Sequence, residues 1–365
     1  MRKGDRPLLP LLLEARDTFA TNDRDKIFAM MGLSEQEASD FVPDYSLSIT
    51  EVFVRFSKHH IEKTGTIDIL GACEDHSYRL KKELPSWVPD WEVHAPSMPL
   101  SLLDAYASWN TSKNLTNQIS AVFSSNNHIL TIKGVTVDKV LHVSDSFLEY
   151  VPVPGTTRDW LPQLRTDQAK KMMLSISDFF MQQRYRQWEI ISRKSKQYSA
   201  SKDVISAFVR TLTADATIVI TDTNTTGPSA RLRTIEEIYA AWCKYWNAAS
   251  QYQGKYISTS YTVATPAELE MATRFMYAHH KAAYGRRFFT SKSHGYMGLC
   301  PSLTRKGDML VILYGGRTPF ILRKLGQGKF RFIGECYTHG LMHGEFFNQG
   351  DADSAENMTT EYHIV

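Results

Sequence analysis

RRFFTSKSHGYMGLCPSLTRKGDMLVILYGGRTPFILRKLGQGKFRFIGE, Arg286 to Glu335, is the stretch whose reading decides the fold. It contains five short apolar runs, RRFFT, GYMGL, DMLVILY, PFILRK and KFRFIGE, separated by turns at Gly295, Gly307, Gly315 to Gly316 and Gly326 to Gly328. Runs of this length between glycine-containing turns read as antiparallel strands, and so many in so short a span predict a small barrel or curled meander. Such a unit buries too little surface alone and must dock on something larger.

Directly after it comes GECYTHGLMHGE, Gly334 to Glu345. Cys336, His339 and His343 stand in C-x2-H-x3-H order, half of a zinc site in ligand type, yet the neighbourhood supplies no fourth ligand. The alternative is a core-facing Cys336 followed by a turn at THG. As a nucleophile, Cys336 beside His339 would need a cation or a helix N-terminus to lower its pKa.

Upstream, helical patterns dominate. Leu8 to Thr18 and Asp23 to Met31 have helical spacing, with Gly32 at a C-cap position; Ser48 to Glu51 is a capping box opening a helix that Gly65 follows. IDIL, Ile67 to Leu70, reads as a buried strand, and LPSWVPDW, Leu84 to Trp91, as an extended loop because its prolines exclude helix and central strand. His128 to Asp145 alternates apolar and polar residues around Gly134, which predicts a strand pair with a bulge or turn there. Gln168 to about Tyr198 predicts the longest helix, and Asp222 to Arg231 a loop. Capping boxes at Thr234 to Glu237 and Thr265 to Glu268 open two more helices, the second with proline at its first position and running to about Tyr284. The fold class expected is therefore α+β: a mostly helical scaffold over residues 1–284 with a strand pair near 128–145, a small antiparallel barrel or meander over 285–347, and a tail from 348 to 365.

A length of 365 residues with 42% hydrophobic content fills a real core. A net charge of +3 from 42 basic and 39 acidic residues forms no basic stripe, which argues against nucleic-acid binding. The four cysteines lack CxxC pairing, so they read as reduced thiols in a cytoplasmic protein. The leucine cluster near the N-terminus is interrupted by Pro10 and followed at once by Glu14 and Arg16, a helix start and not a leader; no segment reaches membrane-spanning length. No Walker loop, GxGxxG, HExxH or GxSxG motif occurs.

Two places could hold a ligand. His279 shares a helix face with Ala272, Met276 and Ala283, and His279, His280 and Tyr284 lead into Arg286 and Arg287 at the helix-to-barrel junction. Trp87 and Trp91, held by the proline-rich loop, are either a latch over the core or the walls of an apolar pocket.

Several pieces in order along the chain, ARDTFATNDRDKIFAMMGLS, VPDYSLSITEVFVRF, LPSWVPDW, FVRTLTAD, GRRFF, GYMGLCP, GDMLVILYGGRTPFILR and FRFIGECYTHGLMHGE, resemble the fungal heterokaryon-incompatibility (HET) proteins in the region after their N-terminal HET module. They cover residues 15 to 345. The resemblance implies that this module, with a TIR-like signalling fold, should precede ATNDRDKIFAMMGLS, where only about twenty residues stand, so the chain is expected to lack it. His343 departs from the pattern, which has an acidic residue there.

The chain is also similar to HET-like proteins of fungal biosynthetic clusters, among them norbornene-forming Diels-Alderases of diterpene biosynthesis. That resemblance implies a cofactor-free, metal-free cyclase of secondary metabolism performing an intramolecular [4+2] cycloaddition on a small apolar terpenoid. Such a reaction needs a conformer held near attack distance and one donor on the dienophile carbonyl. The expected donor is Arg287, His279 or Tyr337, and the expected walls are Trp87, Trp91 and Tyr284, with His343 beside them. The alternative is a non-enzymatic HET-family regulator that binds a protein partner, expected to expose an apolar patch near Leu8 to Leu13. A third expectation is a zinc enzyme using Cys336, His339 and His343.

Overall fold

The computed structural model describes residues 7–16, 18–34, 41–73, 79–93, 99–102, 109–112, 120–146, 184–195, 203–216, 234–250, 265–348 and 358–365. Its helices are α1 (Leu8–Ala15), α2 (Asp25–Met31), α3 (Ile49–Thr64), α4 (184–192), α5 (Asp203–Leu212), α6 (Ile235–Ser250), α7 (Pro266–Ala283) and α8 (Glu345–Asn348), with 3-10 turns at Asp68–Ala72 and Leu100–Leu102. Its strands are β1 (Val122–Phe123), β2 (Leu130–Ser146), β3 (Arg286–Ser291), β4 (Met297–Pro301), β5 (Met309–Leu313), β6 (Phe320–Gly326), β7 (Lys329–Glu335), β8 (Tyr337–Thr338) and β9 (Thr359–Ile364). The chain is α+β, as its sequence implies.

The predicted C-terminal strands form, but they need two partners from elsewhere. β2 pairs with β5 on one side and β9 on the other; β5, β6, β7 and β9 complete a closed five-stranded barrel, with β7 and β9 parallel. The end of β2 continues into β3, β4 and β8. Strand alternation sorts the side chains. Leu130, Ile132, Val311, Leu313, Phe320, Leu322, Phe330, Phe332, Tyr362 and Ile364, drawn from all five barrel strands, share one buried cluster with α1, α2 and α3. The opposite face of β2, β5, β6 and β7 contributes Val137, Leu310, Ile312, Ile321 and Ile333 to a second cluster with Phe289 and Cys300. A third lies between α4 to α7 and Phe288, Met297, Leu299 and Tyr337.

Four expectations are corrected. Residues 128–145 do not form a strand pair; β2 is one 17-residue strand. Gly134 lies in its middle as the point of closest approach, where a Cβ would stand 2.4 Å from the Ile312 carbonyl oxygen. IDIL is a 3-10 turn and not a strand, with Ile67, Ile69 and Leu70 all buried. An apolar run this short does not separate the two by periodicity. Residues 359–364, expected in the tail, are β9. Leu8, Leu9, Leu11 and Leu12, expected to be exposed, are buried. Of the helix predicted over 168–198, residues 184–195 are described, of which 184–192 are helical and 193–195 are not; the predicted loop 222–231 lies outside the described residues.

Local signals explain the helix ends. Ser48 and Thr265 each accept from the backbone three residues on while Glu51 and Glu268 reach back, two complete capping boxes. Gly65 closes α3 at φ 63°, the left-handed cap that glycine takes without strain. Gly32 caps α2 in a right-handed conformation.

The loop LPSWVPDW lies across the ends of β2, β7 and β9. Ser86 donates from its backbone to the Val365 carbonyl at 3.0 Å, and its hydroxyl accepts from the Phe332 amide at 2.8 Å, so the loop closes the seam where β7 and β9 diverge. Trp87 donates to the His128 carbonyl at 3.3 Å. The far end of the loop is fixed by Arg16, which donates to the carbonyls of Val93, Ala72 and Asp90 at 2.8, 3.0 and 2.8 Å and lies 5.1 Å from the Trp91 ring.

Candidate functional site

GECYTHGLMHGE holds a buried carboxylate, Glu335, at the end of β7. It accepts from the amides of Leu100 and Ser101, the second at 3.2 Å, and from Arg286 Nη2 at 3.2 Å. Both partners of this ion pair are buried. Arg286 also donates to the Ala282 carbonyl at 3.0 Å, which ties the end of α7 to the same carboxylate. Burial pushes the Glu335 carboxyl up, opposed by Arg286 and the two amides. The arrangement is a clamp that joins α7, β3, β7 and the turn Leu100–Leu102.

His279, an expected donor, is buried in the cluster under α7. Its Nδ1 donates to the Leu212 carbonyl at 2.6 Å, since a carbonyl can only accept. Tyr185 lies 5.0 Å away, Trp188 5.9 Å, and Phe275 is stacked at 6.2 Å and 3°. Burial lowers the imidazole pKa to about 3, so the ring is neutral at every physiological pH. Tyr337, a second expected donor, is buried in the same cluster, its hydroxyl hydrogen-bonded to His339 Nδ1 at 3.2 Å and its ring 5.6 Å from Trp109.

Arg287, the third, turns to the other side of β3 from Arg286. Its guanidinium donates to the carbonyls of Ser144, Ser302 and Thr304, the last two at 3.1 and 3.0 Å, fastening the β2 end to the turn after β4. Tyr284 caps α7 with its ring 4.9 Å from His280. Trp87 and Trp91 belong to the barrel and N-terminal cluster, not to that of His279. His343 is exposed, its amide donating to Glu345 at 2.7 Å. The expected walls and donors therefore do not converge on one junction pocket. Strand and helix periodicity assigned each residue a face but carried no information on which faces meet.

Cys336 is buried on the face of Ile321 and Ile333, while His343 is exposed. Among the described residues no group of three or more His, Cys, Asp or Glu side chains is arranged to hold a metal. Burial pushes the Cys336 thiol well above its ordinary value and Cys300 up to about 12, the reverse of what activates a nucleophile. A surface cleft of about 350 Å³ is lined by Lys82, Leu84, Ser86, His128, Lys329 and Arg331 among others, none of them an expected site residue. No described helix is long and apolar enough to cross a membrane.

Sequence reasoning missed the clamp. The RR pair at the start of β3 was visible, and alternation sends one arginine to each face, but only the docked α7 makes the first of them the buried one. Glu335 had a signal too, as the acidic residue that follows the apolar Phe332 and Ile333 at the end of its strand.

Residues 204–355 match the family model of the Het-6 beta-barrel domain. The chain is similar to "Heterokaryon incompatibility protein 6, OR allele" of Neurospora crassa, 23% identical over 384 aligned positions that cover 96% of this chain and 52% of that protein. It thus spans about half the length of the curated relative it matches. No solved structure gives a significant match. Both similarities are to heterokaryon-incompatibility proteins, and the residues matched by the Het-6 beta-barrel domain, 204–355, contain β3 to β8.

Proposed function

We propose that the chain acts as a HET-family interaction module whose output is binding to a protein partner. The observation that carries this reading is the use made of its chemically capable side chains. His279, Tyr337, Cys300 and Cys336 are buried and spent on packing, and Arg286 and Arg287 are spent on fastening elements together. Near α2, by contrast, large apolar side chains face solvent: Phe19 fully, with Val42 and Tyr45 more than half exposed. Tyr45 packs edge-on against Phe28 and bonds Asp25, so part of this surface is rigidly presented. Apolar side chains held rigidly at a surface are suited to a protein contact.

The test is a titration of the purified chain against full-length heterokaryon incompatibility protein 6 of Neurospora crassa, read by calorimetry and size exclusion. A complex weakened at least tenfold by Phe19→Ser with Val42→Ser is expected. The cyclase reading, a cofactor-free [4+2] cycloaddition of a terpenoid, rests on sequence resemblance and enters the same series. Absence of a complex, together with a rate or product ratio changed from background for a diene-bearing terpenoid aldehyde, would replace the interaction module by the cyclase.

A further inference from the structure

The cleft of about 350 Å³ lies beside the seam where β7 and β9 diverge, and three segments bound it: the proline-rich loop and the residues just before it, the turn between β1 and β2, and β7. Strand alternation decides what β7 presents there. Phe330 and Phe332 belong to the barrel cluster, so Lys329 and Arg331 share the outer face of the same strand, and both line the cleft. Ser86 holds the loop against this strand, its hydroxyl accepting from the Phe332 amide at 2.8 Å.

Arg331 stands in an unfavourable place for a cation. It is paired across the ladder with Arg323, and like charges directly opposite each other destabilise a sheet. Asp308 is already taken, since it accepts from Arg323 at 2.9 and 2.8 Å. Arg331 is half-buried, and neither it nor Lys329 has a hydrogen-bonding or ionic partner among the described residues. Arg16, Arg79, Arg286 and Arg287, buried or half-buried as well, all donate to backbone carbonyls. A guanidinium partly withdrawn from water with no anion beside it is costly, and a bound anion would offset that cost. Lys82 brings a third cation from the loop side. The acidic groups at the cleft are otherwise engaged: Glu83 accepts from the Thr50 hydroxyl at 3.0 Å, and the Val365 end accepts from the Ser86 amide at 3.0 Å. Even with a carboxylate at Val365, three cations face two acidic groups.

We propose that this cleft binds a small phosphomonoester, with Lys329 and Arg331 on the phosphate and the organic part against Ile129 and the proline-rich loop. Arginine offers a planar fork and lysine a compact charge, which together suit a dianion with several acceptor oxygens. A carboxylate would leave one of the two unpartnered cations unbalanced. The volume is near the lower end of small-molecule sites, roughly 300 to 1,000 Å³, and so fits a compact ligand.

The test is calorimetric titration of the full chain with phenyl phosphate and with inorganic phosphate at pH 7.5 and low salt. Saturable binding of phenyl phosphate at one site is expected, tighter than that of inorganic phosphate because the ring adds apolar contact. Lys329→Gln combined with Arg331→Gln is expected to weaken it at least about tenfold. Lys292→Gln combined with Lys306→Gln, two exposed lysines outside the cleft, is expected to change it by less than about twofold. In amide NMR of wild type, phenyl phosphate should shift His128, Ile129 and Arg331 together. No saturable binding up to about 10 mM, or an equal loss in the two double variants, would overturn the site and leave an adventitious ion only. Should the cleft variant not fold, the wild-type spectrum decides: shifts confined to the cleft support the site, and shifts scattered over the surface overturn it.

Discussion

The barrel interior and the cluster around His279 are both apolar and both contain large aromatic rings, yet they are closed by different means. Inside the barrel, ladder hydrogen bonds fix each of ten side chains, and the proline-rich loop with Trp87 seals the seam. The other cluster has a sheet on one side only, and its helices are held by ring packing around a neutral histidine and by the Arg286 to Glu335 clamp. The barrel interior is thus held by a closed ladder, whereas the other cluster depends on groups whose charge burial has shifted.

The largest expected effect breaks the clamp that joins the two. Glu335→Ala leaves Arg286 charged and buried, a loss of up to about 5 kcal/mol in urea unfolding. Next is Trp87→Ala, expected to cost about 4 kcal/mol by opening a cavity in the barrel core. Near-ultraviolet dichroism should show the His279 cluster unchanged in that variant if the cores are separable. The third sharpens the contrast in protonation. His279 has a folded pKa of about 3 against about 6.5 unfolded, so its contribution is fully present above pH 6.5 and is lost as pH falls toward 3. Wild type should lose about 2 kcal/mol between pH 7.5 and 5 relative to His279→Phe, with no such difference for Trp87→Phe. The smallest is Ser86→Ala, which orphans the Phe332 amide at the seam for about 1 kcal/mol and should speed exchange at Phe332 and Val365 only.

Much of the local structure was legible. The capping boxes at Ser48 and Thr265 carry their own partners three residues away, and the five strands between Arg286 and Glu335 are bounded by glycines that mark their turns. The HET resemblance was legible as well and agrees with the barrel match over 204–355. The candidate site was much less so. Trp87, Trp91, His279 and Tyr284 were brought together only by the walls and donor that a cyclase pocket requires, and nothing in the sequence says which elements will be adjacent.

By itself the sequence determined most of the element types, caps and turns, and the need of a small C-terminal sheet for outside support, because these follow from interactions between residues a few positions apart. Only the tertiary structure decided that β2 and β9, from opposite sides in the chain, would close β5, β6 and β7 into a barrel and leave β3 and β4 outside it. It alone decided that Glu335 would meet Arg286, Leu100, Ser101 and the turn of Asp68. Those contacts join residues up to more than 200 positions apart, and a buried charge declares its partner only once the layers that exclude water are in place.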